Sequence, residues 1–407
     1  LISARNNRIP PRRGRRLFLT ALLSLLALLL CSACSVAETL LGTDESPAAA
    51  GTPAQTDLVI VTTTEQPESD ETPTPEPILP TDEPTASPTP SVSTTTGRTL
   101  PDGSVYRPVL VVIDNAAQCR PQTGLMLADI VYEFPLDRAD HGTRFLAVFS
   151  DEIAARVGPV CDSRAYLADT ALEWDGLYVS AGDPPDGDDP YPALADAGLS
   201  APLQNSGDAA QYFYRDITVT STEEHTLFFK ALEADGVFST SDALTPASRF
   251  AFQSGVTYEK GKRIQSVGLP FTSSDKEKIV YTYDAASNLL LRSEKNSKGV
   301  LCVSKSLTPA SNALGYESEP IAVQNLIVQY VHVSAFDTVY RSVDVTGEGA
   351  CDYFINGLHV PGTWSRPSLS STITYLLYDG TPICLEPGST WIEMMPKTHE
   401  IRIRYES

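Results

Sequence analysis

Pro108-Val109-Leu110-Val111-Val112-Ile113 is an unbroken apolar run rich in β-branched residues, closed by Asp114-Asn115. Successive side chains of a strand point to opposite faces of a sheet, so a run without alternation predicts a strand covered on both sides. Working outward, residues 130–134 and 143–150 read as two further strands, with 137–142 as the turn between them. Asp162 or Ser163 is placed to cap a helix running to about Trp174, with Leu167, Ala168, Ala171 and Leu172 on one face. Leu177-Tyr178-Val179 then returns as a strand. Strand, strand, helix, strand predicts a layered α/β mixed sheet over residues 105–250. Past residue 250 the helical signals fade, and apolar alternation at 279–283, 325–333, 350–355, 373–378, 391–395 and 399–405 predicts a mostly β domain over 251–407.

The body is preceded by two segments of other character. Six arginines before residue 17 are followed by the apolar run Leu17 to Leu30 and then Cys31-Ser32-Ala33-Cys34, the order of a signal peptide over residues 1–33. Ser32-Ala33-Cys34 resembles the end of a lipobox, which makes Cys34 the expected lipidated N-terminus of the exported chain, held on the outer face of the cell membrane. Arg15-Arg16-Leu17-Phe18-Leu19 also fits a twin-arginine signal, so the route of export stays open. Residues 34–104 are dominated by Thr, Pro, Ser and acids; such composition lacks the apolar surface to offset its ordering entropy, and a disordered stalk is expected. The chain has 30 basic against 51 acidic residues, a net charge of -21. A field of that sign repels phosphate backbones and argues against nucleic acid as a partner.

Asp114-Asn115, Arg120-Pro121-Gln122-Thr123-Gly124-Leu125, Ala128 to Glu133, Thr143-Arg144-Phe145 and Gly158-Pro159-Val160 with Arg164 resemble the N-terminal domain of the YerB-like lipoproteins. Asn325, Gly347-Glu348-Gly349, Gly362-Thr363-Trp364, Asp379-Gly380 and Pro387 to Ile392 resemble that family's C-terminal domain. The resemblance implies an α/β fold and a lipid anchor, and it implies no activity. The chain departs from the family's pattern at Cys161-Asp162-Ser163, and at Ala139 to Gly142 before Thr143-Arg144.

Candidate chemistry gathers around these motifs. Arg120, Arg144 and Arg164, with Gln122, are candidates to converge on an anionic ligand; the alternative is that each arginine clamps an internal acid such as Asp114, Asp129 or Glu133. Cys161 is a candidate nucleophile with His141 or His225 as base, against a buried thiol or a disulfide with Cys119. Asp183 to Asp189 is an acidic run without the spacing of a calcium loop, and reads as a solvated turn. Trp364 and Trp391 read as packing residues. No zinc spacing, phosphate loop or nucleotide fingerprint occurs, so neither metal nor cofactor is expected. The leading expectation is a non-catalytic envelope protein that binds an anion or a protein partner. The alternative is an envelope hydrolase or transferase using Asp114, Glu133 or Cys161.

Overall fold

Val109–Asp114 (β1) is buried along its whole length. Val109, Val111 and Ile113 enter one hydrophobic core, while Leu110 and Val112 enter a second on the other face. The computed structural model describes residues 91–104, 106–136, 142–182, 191, 196, 203–219, 222–237, 249–271, 275–296, 298–309, 315–335 and 341–407. Cys34, His141 and the acidic run at 183–189 lie outside the described residues.

β1 is followed by Ile130–Pro135 (β2), Thr143–Phe149 (β3), the helix Ala165–Ala171 (α1), Leu177–Ser180 (β4) and the short Leu203–Gln204 (β5). The second half supplies Lys262–Leu269 (β6), Ile279–Asp284 (β7), Leu289–Lys295 (β8), Leu301–Val303 (β9), Asn325–Val331 (β10), Gly347–Ile355 (β11), Leu358–Arg366 (β12) and Thr390–Pro396 (β13). All of these join one sheet, in the order β9-β8-β7-β6-β12-β11-β10-β13-β2-β3-β1-β4-β5. The seam between the halves is the parallel pair β13 and β2, which sets Trp391 opposite Val131 and Glu393 opposite Glu133.

The sheet is mixed, but the layered α/β expectation is corrected to a mostly β fold. Among the described residues, α1 is the one α-helix of any length, and the remaining helical pieces are short 3-10 turns. Of the expected apolar face, Leu167, Ala168 and Ala171 are buried, while Leu172 is the half-buried C-cap. The helix is short because the chain must turn back into β4. Gly176 makes that return, where a Cβ would stand 2.4 Å from the Pro108 carbonyl oxygen. The cap also differs. Arg164 occupies the N-cap position without a side-chain capping bond, because the Asp162 carboxylate is held by arginines and the Ser163 hydroxyl shares a 2.5 Å hydrogen bond with Tyr178. Trp364 and Trp391 are both core residues.

Order begins earlier than the stalk reading implied. Ser93, Thr95 and Thr96 are buried. The Thr95 hydroxyl donates to Asp129 Oδ2 at 2.7 Å, and Ser93 and Thr96 donate to Asp151 at 2.7 and 2.5 Å.

Candidate functional site

β1 delivers Asp114 and Asn115 to its carboxyl end, and nearly every candidate residue is arranged around these two. The β1 and β3 register sets Asp114 beside Arg144. The Asp114 carboxylate accepts the Ala116 N–H at 2.8 Å and lies 2.6 Å from His225 Nδ1. Burial works against ionisation here, but the His225 hydrogen bond and the Arg144 charge outweigh it and hold the carboxyl below its usual range. The same hydrogen bond raises the imidazole of His225. The far ring nitrogen, Nε2, lies 3.0 Å from the Gln118 amide nitrogen. Cys119, fully buried, completes the group: burial and the neighbouring Asp114 charge push its thiol up, so it carries its proton.

Asn115 organises the other side. Its Oδ1 accepts Arg120 Nε at 2.9 Å and Gln122 Nε2 at 2.8 Å, and its amide donates to Thr143 Oγ1 at 2.7 Å. Beyond it lies a closed ionic layer. Arg120 reaches Glu294 at 2.7 Å, and Arg292 donates to both Glu133 oxygens at 2.8 and 3.1 Å. The Tyr281 hydroxyl donates to Glu393 at 2.6 Å. Burial, reinforced by Glu133 alongside, drives the Glu393 carboxyl far upward, so it is neutral.

The three arginines are therefore not free donors lining a cleft. Arg144 and Arg164 share the Asp162 carboxylate, Arg144 also donates to the Asp162 carbonyl at 2.8 Å, and Arg120 is taken by Glu294. Gln122 is buried and spends its amide on Asp114 O and Asn115 Oδ1. Glu133 is sealed under Arg292. Cys119 and Cys161 are separate free thiols rather than a disulfide. Cys161 belongs with the core that holds Val112 and Tyr166, while Cys119 faces Asp114. Burial lifts the Cys161 thiol well above its ordinary value, and the base proposed for it, His225, is bound to Asp114 instead. Sequence reasoning missed Gln118, Arg292, Glu294, Glu393 and the pairing of Asp114 with His225. It also saw no metal pattern, whereas Asp114, Cys119 and His225 bring donor atoms within 4.8 Å of one another.

Residues 95–243 match the family described as "Protein of unknown function (DUF3048) N-terminal domain", and residues 267–392 match its C-terminal domain. A Bacillus subtilis (strain 168) protein named "Putative lipoprotein YerB" is 27% identical over 306 residues, covering 71% of this chain and 81% of that protein. The crystal structure of YerB protein from Bacillus subtilis superposes with a TM-score of 0.58 at 22% identity, over 77% of this chain and 99% of that one. Both halves match in order and the fold agrees across them: the chain belongs to the DUF3048 family of YerB-like proteins, whose activity is unknown.

Proposed function

We propose that this chain is an exported, lipid-anchored envelope protein that binds a partner at the carboxyl end of β1 without catalysing a reaction. The carrying observation is the end of the Asp114–His225 pair. In a hydrolytic triad the outer imidazole nitrogen holds a nucleophile; here it meets the Gln118 amide at 3.0 Å. Both nearby thiols are buried and protonated. With each arginine answered by an acid, the surface beside Asp114 offers Gln118, the partly exposed His225 and the exposed Glu223 and Glu224. That chemistry complements a partner surface rich in hydrogen-bond donors or positive charge better than an anion.

Crosslinking on intact cells should capture a discrete envelope species with the wild-type chain, and lose it with His225→Gln and with Gln118→Ala. Equal capture by both variants would remove the site. The 2.6 Å contact of His225 with Asp114 supports a second reading, a hydrolase or transferase in which this pair activates water. Turnover of envelope material that is abolished by His225→Gln would favour it. The anchor has its own test: a fatty-acid analogue should label the wild type, and Cys34→Ala should abolish the label.

A further inference from the structure

We infer that Asp114, Cys119 and His225 form a binding site for a divalent transition-metal cation of the zinc class. The three residues come from different segments. Asp114 ends β1, Cys119 closes the 3-10 turn Ala117–Cys119, and His225 ends the 3-10 turn Glu223–His225 more than a hundred residues later. One donor atom from each lies within 4.8 Å of the others. A tetrahedral zinc ion with thiolate, imidazole and carboxylate ligands holds those atoms about 3.3 to 3.6 Å apart, so ligation requires side-chain shifts of about 1 Å or less. One sulfur, one nitrogen and one oxygen donor select zinc-like ions over calcium or magnesium, which take oxygen alone.

The surroundings fit the same conclusion. The Ala116 N–H fixes the second Asp114 oxygen at 2.8 Å, and Gln118 meets the outer nitrogen of His225 through its amide nitrogen, so a metal on Nδ1 requires that amide to turn over and present its oxygen to the Nε2–H. Cys119 and Asp114 are both buried, and the thiol lies beside the carboxylate. A cation between them takes the place of the thiol proton, which is released, and is held by both side chains. Three protein ligands leave a fourth position for water or for a group of the bound partner. This inference goes beyond the binding reading above and stands or falls without it, because it concerns the chain alone.

Cobalt(II) is the probe, added to the full chain carrying Cys31→Ser and Cys34→Ser so that N-terminal thiols supply no ligands. The expected result is saturation at one ion per chain, with a near-ultraviolet thiolate-to-cobalt charge-transfer band, intense tetrahedral visible bands, and displacement by zinc. Cys119→Ser should abolish the charge-transfer band, and His225→Gln should weaken binding at least tenfold. The His225 side chain is only 14% exposed and is bonded to Asp114, so the melting temperature of this variant in chelator is compared with that of the wild type, and weakened binding by a chain that still melts cooperatively reports on ligation. Cys302→Ser, which removes an exposed thiol elsewhere, should change nothing. Absence of the band in the parent chain, or its survival in Cys119→Ser, would overturn the inference.

Discussion

At the scale of single residues, the buried ionic layer shows how neighbouring carboxyls acquire different states. Glu133, Glu294 and Glu393 face the guanidinium groups of Arg292 and Arg120, with the Lys278 ammonium 4.0 Å from Glu294. Burial together with the neighbouring Glu133 raises the Glu393 carboxyl well above its usual range, and the Tyr281 hydroxyl holds it. Glu393→Gln should therefore be nearly silent, costing less than about 1 kcal/mol, because an amide reproduces a protonated acid. Glu133→Gln should cost about 3 kcal/mol, the scale of breaking a buried ion pair, because it strips Arg292 of its two-oxygen contact. Denaturant melts of the two variants side by side decide the matter, and equal losses would refute the assignment. None of this was legible from the sequence, for a specific reason. In β8 the inward positions are Leu290, Arg292 and Glu294, so charges stand where an apolar alternation would have marked the strand. The arginines at 120, 144 and 164 were legible as a set, but their acceptors were not. Asp162 could be read only as a helix cap, and Glu294 lies over 170 residues from Arg120.

Elements carry the next level. β1 was readable because it is buried on both faces and cannot alternate, and most later strands were readable because they do. Helix α1 was overextended because its apolar face says nothing about the close approach at Gly176. The segment at 91–100 was misjudged for the opposite reason. Its Ser and Thr residues have the composition of a spacer, yet their hydroxyls dock on Asp129 and Asp151. Asp129 is thereby nearly enclosed, and burial together with the charge of Asp151 pushes its carboxyl up to about 7. The folded chain keeps a proton that the unfolded chain releases from about pH 4 upward. This contribution to stability is complete below about pH 4 and is lost as pH rises toward 7. Asp129→Asn keeps an oxygen for the bonds from Thr95, Ser150 and Asp151 and cannot ionise. Relative to wild type it should gain stability steadily between pH 4 and 7, by up to a few kcal/mol in total, as one proton linkage allows. A pH-independent difference between the two chains would mean that Asp129 is already ionised in the fold.

Across the whole molecule, the two halves identified by sequence are parts of one sheet rather than separate cores. β13 pairs in parallel with β10 of its own half on one edge and with β2 of the first half on the other. Both hydrophobic cores draw residues from each side of the seam, with Phe145 packed edge-on against Trp391 in one of them. Ionic clamps cross in the same way. Arg292 on β8 binds Glu133 on β2. Arg366, fully buried at the end of β12, binds Glu173 at 3.1 Å and donates to the Asp169 carbonyl of α1. Dividing the chain near residue 250 would expose the edges of β2 and β13, strip Glu133 of its arginine, take Glu133 from Arg292 and Glu173 from Arg366, and open both cores. Each orphaned charge alone costs about 3 kcal/mol or more, a large share of the 5 to 15 kcal/mol that holds a typical domain together. Fragments 91–250 and 251–407, expressed separately, should therefore show no cooperative melting. Mixed and refolded together, they should regain one transition. The intact chain should melt in one step by both tryptophan fluorescence and far-ultraviolet dichroism. A sharp, independent transition in either fragment would show that the halves are self-sufficient, and that the β2–β13 seam joins two finished domains instead of completing one.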